Sequence, residues 1–158
     1  MAAFTRKDIQ FMRLAMQSAD IFSTCGKRQY SCYITDEKDR IVGFGYNGGP
    51  RGYIHCSDGG CPRLQQNSAS GSSYSNCISV HAETNAIVNS LGRGYSLYVN
   101  GTPCHDCAKI ITSTDIKRLV YIRDPAYPQW KDSHSLLTSV GISCLGMNME
   151  MLECLQAK

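Results

Sequence analysis

The sequence predicts an α/β protein, a three-layer α/β/α sandwich around a five-stranded mixed sheet. Two observations predict it. Helix-like and strand-like segments alternate in the order α-β-β-α-β-α-β-α-β-α, which is the pattern of a sheet covered by helices. The first two strands are separated only by Asp36-Glu37-Lys38-Asp39, so they read as a hairpin, and the hairpin makes the sheet mixed. A length of 158 residues fits one domain. No repeat or linker divides the chain, so one domain is expected over 1–158, with a cysteine-rich loop at about 47–80.

The elements follow from local pattern. Thr5 to Phe22 reads as a helix: Thr5 can cap it, Asp8 stands three residues on, and Ile9, Met12, Ala15, Met16 and Ala19 recur at helical spacing. Met12 and Met16 are therefore core residues. Tyr30–Thr35 and Arg40–Tyr46 are β-rich. Asn47–Val80 is rich in Gly, Ser, Asn and Cys, and so long a loop in a compact domain is functional or pinned by something. His81–Leu91 is helical and stops at Gly92, Tyr95–Val99 is a strand, and Asn100–Pro103 is a turn. Cys104 opens a short helix through Ile111, and Arg118–Ile122 is the next strand. After Pro125 and Pro128 come a helix over Trp130–Val140, a strand over Ile142–Leu145 and a helix over Met149–Leu155.

Composition narrows the function classes. Hydrophobic content of 42% and charged content of 18% fit a folded globular chain. The net charge is only +3, and Lys and Arg are scattered, so no nucleic-acid partner is expected. No run approaches the ~18 to 20 apolar residues of a membrane span. The opening stretch is interrupted by Arg6, Lys7, Asp8 and Arg13 and has no signal-peptide core. A cytoplasmic protein is expected, in the host cytoplasm if the source is viral. Nine cysteines without an export signal point to metal ligation more than to a disulfide framework. Cys32, Cys144 and Cys154 sit in strand or helix patterns and read as packing residues.

Two stretches carry the chemistry: His81-Ala82-Glu83 and Pro103-Cys104-His105-Asp106-Cys107. One imidazole and two thiolates suit tetrahedral zinc and leave a fourth position for water. Zinc lowers the pKa of that water to roughly 7, which makes hydroxide available at neutral pH. Glu83, two residues after His81, can accept the water's proton and pass it to a ring nitrogen and a leaving amine. Cys104 and Cys107 share one face of a helix start, where thiolate charge is favoured. A closed structural zinc knuckle with His105 as fourth ligand is the competing reading. His105 faces away from the edge the two cysteines share.

The H-x-E…P-C-x-x-C pattern is the known signature of zinc nucleobase deaminases. The sequence resembles the cytidine deaminase-like superfamily and, within it, the deoxycytidylate (dCMP) deaminases, phage members included. The resemblance rests on Gly45-Tyr46-Asn47-Gly48 with Pro50, on HAETNAI at 81–87, on YVNGTPCHDCAKII at 98–111 and on IKRLVY at 116–121. It implies that His81, Cys104 and Cys107 hold the catalytic zinc and that Glu83 shuttles protons. It further implies that the backbone at Ala82 meets the pyrimidine edge and that Asn47 contacts the deoxyribose. By itself, Asn47-Gly48 is also an ordinary turn signal. The activity implied is hydrolysis of dCMP to dUMP and ammonia, supplying thymidylate synthesis. A homohexamer is implied, activated by dCTP with Mg2+ and inhibited by dTTP. Asn100-Gly101-Thr102 departs from the commoner family run, and Thr102 is a pocket-lining candidate.

The resemblance also implies a second, structural zinc near the long loop, held by Cys25, Cys56, Cys61 and Cys77, with His55 as a competing ligand. Unrelated thiols or disulfides are the alternative. For a phosphate, the candidate cations are Lys27, Arg28, Arg51, Arg93 and Arg123. Arg123 follows a strand at its carboxyl end, where ligand-facing groups gather, and Tyr127 just beyond can cover the pocket. Other readings left standing are deamination of a 5-substituted dCMP, a free base or tRNA, and a non-catalytic zinc-binding module.

Overall fold

The structure is a computed structural model that describes residues 4–69, 74–127 and 129–154. Leu155 and Pro128 of the predicted elements lie outside the described residues, as does the side chain of Cys154. The elements are α1 (Arg6–Phe22), β1 (Ser31–Thr35), β2 (Ile41–Tyr46), α2 (Pro62–Gln65), α3 (Ala82–Ser90), β3 (Ser96–Val99), α4 (His105–Ile111), β4 (Arg118–Ile122), α5 (Trp130–Ser139), β5 (Ser143–Met147) and α6 (Met149–Cys154). The strands form one mixed sheet in the order β2-β1-β3-β4-β5. β1 runs antiparallel to both β2 and β3, and β3, β4 and β5 are parallel.

Both faces of the sheet are covered, so its central strands are apolar without a break, and alternate residues serve alternate layers. Tyr33, Tyr98 and Val120 meet Phe11, Met12 and Ala15 of α1 and Leu152 of α6. Cys32, Ile34, Leu97, Val99, Leu119 and Tyr121 meet Ala82, Ala86 and Ile87 of α3, Ala108 and Ile111 of α4, and Leu137 of α5. These are the three layers that the alternation of elements predicts. Cys32 is fully buried and Cys144 is half-buried against the same core, as packing residues are.

The predicted cap of α1 is present in both directions. Thr5 Oγ1 accepts from Asp8 N–H at 3.1 Å, and Asp8 Oδ2 accepts from Thr5 N–H at 2.7 Å. The described parts of the 47–80 loop contain local structure that its composition does not suggest. Gly48 and Val80 pair at its base, and within it lie single turns over Cys56–Asp58 and Tyr74–Asn76 and the short α2. Pieces this short carry no readable periodicity, so the sequence reading treats the whole stretch as loop.

Candidate active site

The site sits where two helices begin. His81 caps α3 in extended conformation, and Glu83 is in the first turn. The chain leaves β3 at Val99, turns through 100–103 and enters α4 with Cys104 as its N-cap. α3 and α4 pack in the same core layer on one face of the sheet, and their starts meet.

His81 Nδ1 lies 3.4 Å from Cys104 Sγ and 3.4 Å from Cys107 Sγ. Among the described residues, this trio is the group whose ligand atoms all fall within 4.8 Å of one another. His81 is exposed, Cys104 half-buried and Cys107 buried, so the trio opens to solvent on one side. His105 is exposed and stands outside the trio. One imidazole and two thiols around a common point, open on one side, fit zinc in a site with a free position.

Electrostatics agree with that fit. The Cys104 thiol is drawn down to about 4 by the hydrogen bond from the Cys107 thiol, against burial, with further help from His81 and the Cys107 main-chain N–H. That N–H points at Cys104 Sγ over 3.4 Å. The Cys107 thiol is pushed up by the same shared proton, by burial and by the charge of Glu83. The His81 imidazole is raised by its hydrogen bond with Cys104 against the effect of burial. Metal ligation by such groups requires the thiolate and neutral imidazole forms, so it would displace the protons they share.

Glu83 is only 7% exposed. Burial raises its carboxyl, while its own main-chain N–H and His81 pull the other way. A carboxyl held above its ordinary range exchanges a proton more readily near neutral pH. Thr84 places its hydroxyl 4.0 Å from Cys107 Sγ. As the first helical residue, Ala82 offers a main-chain N–H that the helix does not use.

Of the other predicted residues, Asn47 and Thr102 have their side chains engaged within the fold. Asn47 is buried; its Oδ1 accepts from Tyr30 N–H at 2.8 Å and from Ser23 Oγ at 2.6 Å, and its Nδ2 donates to Arg28 O at 2.8 Å. Thr102 Oγ1 donates to Ile122 O at 3.0 Å and accepts from Asp124 N–H at 2.8 Å, which stitches the turn before Cys104 to the end of β4. Arg123 leans over Gly146 toward the Tyr121 hydroxyl. There it lines an open groove of about 430 Å³ with Trp130, Lys131, His134 and Cys144. Tyr127 closes the turn after Asp124, with its N–H on Asp124 O at 3.2 Å.

Arg28 is the predicted cation that reaches the Asp124 loop: its guanidinium pairs with Asp124 at 3.2 Å. Lys27 instead donates to Ser68 O at 2.5 Å. The four cysteines of the long loop and its approach share one neighbourhood. The Cys56 thiol is pushed up to about 11 by burial and by the nearness of Cys61, Cys25 and Cys77. No three of their sulfurs meet the 4.8 Å spacing of the His81 trio.

A family comparison matches this arrangement. The zinc-binding region of cytidine and deoxycytidylate deaminases spans residues 5–123 of the chain. The chain belongs to that family. Its members include the deoxycytidylate deaminase of Schizosaccharomyces pombe, 35% identical over 139 residues, which cover 85% of this chain and 42% of that one. The deoxycytidylate deaminase of Mycobacterium phage D29 is 34% identical over 125 residues, 74% of this chain and 94% of the phage protein. The chain thus spans less than half the length of the fission yeast relative and almost all of the phage one. The fold is shared with the dCMP deaminase of cyanophage S-TIM5, solved with dCMP and dUMP. It aligns with a TM-score of 0.69 over 92% of this chain and 100% of that one, at 20% identity. Family membership makes the zinc assignment of His81, Cys104 and Cys107 the natural one, since the matched region is a zinc-binding one.

Proposed function

We propose that the chain catalyses zinc-dependent hydrolytic deamination of dCMP to dUMP and ammonia. The observation that carries this reading is a buried carboxyl, Glu83, beside an open His/Cys/Cys donor set. A closed structural zinc has no use for such a carboxyl. The substrate comes from the relatives, which are named deoxycytidylate deaminases.

Zinc held by His81, Cys104 and Cys107 supplies Lewis acidity, which makes water ionisable near neutral pH. Glu83 takes one proton from the attacking water and gives it to the ring nitrogen, then takes the second from the newly added hydroxyl and gives it to the departing amine. One C–O bond forms, one C–N bond breaks, and ammonia leaves. The Ala82 N–H holds the pyrimidine edge. Thr102, fixed by Ile122 and Asp124, lines the pocket, and Tyr127 covers it. Asn47 has one amide hydrogen beyond those used internally, and with it contacts the deoxyribose. Of the cations, Arg123, at the carboxyl end of β4, is our choice for the phosphate, while the Arg28 guanidinium is paired with Asp124. Arg123 borders the Asp124 loop from the Tyr121 side.

In the same reading Cys25, Cys56, Cys61 and Cys77 close on a second, structural zinc. Their common neighbourhood supports it. A homohexamer in the cytoplasm, activated by dCTP with Mg2+ and inhibited by dTTP, feeding dUMP to thymidylate synthesis, completes the reading on resemblance alone. The test is ammonia release from dCMP, CMP, dCTP, 5-methyl-dCMP, cytidine and tRNA, with and without dCTP and dTTP. Turnover confined to dCMP and its 5-methyl analogue supports the proposal. Faster turnover of tRNA or cytidine overturns it.

A further inference from the structure

We infer that Asn85, with Gly45, is a positioning residue that fixes the start of α3, and so His81 and Glu83, against the outer edge of β2. This rests on reading the His81 trio as the metal centre of a deaminase and deepens that reading.

The helix and the strand meet backbone to backbone. A Cβ on Gly45 would fall 2.3 Å from Ala86 N and 2.5 Å from Ala82 O. One on Gly43 would fall 2.7 Å from Ala86 O. Real side chains do not approach main chain so closely, so glycine at both positions lets α3 sink onto β2. Two side chains then lock the register: Asn85 Nδ2 donates to Tyr46 O at 2.8 Å, and Asn89 Nδ2 donates to Phe44 O at 2.7 Å.

Asn85 does more than its partner one turn on. Its own N–H makes the first helical bond, to His81 O, at 3.0 Å. On the other side of His81, Val80 N–H donates to Gly48 O at 2.8 Å and Gly48 N–H to Val80 O at 3.3 Å. The segment from Gly45 to Gly48 therefore grips His81 from before and after. α3 needs the grip, because it is nine residues long and exposes Val88 at 65%. A helix that short has little stability of its own.

The test compares Asn85→Ala with Asn89→Ala in the full chain. Each removes one amide bond to a β2 carbonyl, but only the first touches the His81 turn. Each variant is loaded with cobalt(II), whose ligand-field and thiolate charge-transfer bands report the donor geometry, and assayed on dCMP. Both should lower the urea midpoint to a similar extent. Asn85→Ala should also shift or weaken the cobalt bands and lower kcat on the order of ten- to a hundredfold, the scale of a small misplacement of reacting groups, with little change in KM. Asn89→Ala should keep the wild-type spectrum and kcat.

Gly45→Ala should act in the same direction as Asn85→Ala and more strongly. If it does not fold, the asparagine pair still decides. Identical spectra and kcat in the two asparagine variants overturn the inference and leave Asn85 an ordinary stabilising contact. Wild-type protein that takes up neither cobalt nor zinc overturns the metal reading and this inference with it.

Discussion

Arg118 and Asp8 meet in a two-pronged ion pair that ties the first turn of α1 to the start of β4. Arg118 donates from one guanidinium nitrogen to Asp8 Oδ1 at 2.5 Å and from the other to Oδ2 at 2.7 Å. The same carboxylate caps α1 through Thr5 and receives the Tyr98 hydroxyl at 3.3 Å. Burial pushes the Asp8 carboxyl up, but the bonds from Arg118 and Thr5 and the charge of Arg118 outweigh it and hold it below the usual carboxylate range. Asp8 is fully buried and Arg118 largely so, so breaking the pair strands a charge. Asp8→Ala should cost about 3 kcal/mol in urea unfolding at neutral pH.

The pH dependence of that cost follows from the direction of the shift. A depressed carboxyl stabilises the fold fully above its unfolded value and loses that contribution as pH falls through its folded value. The stability gap between wild type and Asp8→Asn should therefore stay constant from neutral pH to about 5 and shrink below about 4. Unfolding curves across that range check it. A gap that instead grew on acidification would mean that Asp8 is already protonated in the fold.

Glu83→Gln should leave metal content and fold intact while lowering ammonia release from dCMP by roughly 10²- to 10⁴-fold, the usual worth of a positioned proton carrier. Metal analysis beside a single-turnover assay makes the separation. Wild-type turnover in the variant would remove Glu83 from the mechanism.

Cys56→Ser should lower the metal content from roughly two zinc ions per chain to roughly one, and lower the melting temperature, with the His81 site still loaded. Elemental analysis on protein purified without added metal reads this directly. A single zinc in wild type would return Cys25, Cys56, Cys61 and Cys77 to simple packing.

Asn47→Ala should destabilise the chain by about 2 to 3 kcal/mol, since it leaves the part-buried Tyr30 N–H and Arg28 O without their side-chain partner. Urea unfolding measures that cost, and KM for dCMP reads the sugar contact separately. Loss of substrate binding with unchanged stability would make the internal bonds incidental.

The metal centre was legible because its chemistry is written in local spacing. His81 and Glu83 share a helical turn, Cys104 and Cys107 share another, and each pattern needs only a few residues to be recognised. The sheet was legible for a similar reason, since β1, β3 and β4 are apolar runs between clear breaks. What escaped is contact between single residues far apart in the chain. Arg118 reads as one more strand-end cation, and nothing near it points to Asp8. Asn85 reads as a neutral helix residue, and only the fold brings it under the Tyr46 carbonyl. The resemblance gave Asn47 a substrate role, whereas most of its hydrogen-bonding capacity holds the 23–30 segment in place.

The two asparagines on α3 have one more effect. By occupying the Phe44 and Tyr46 carbonyls, they take acceptors that an incoming strand would need on the outer edge of β2. That side of the sheet is guarded against growth by strand addition, and so against one common route to aggregation.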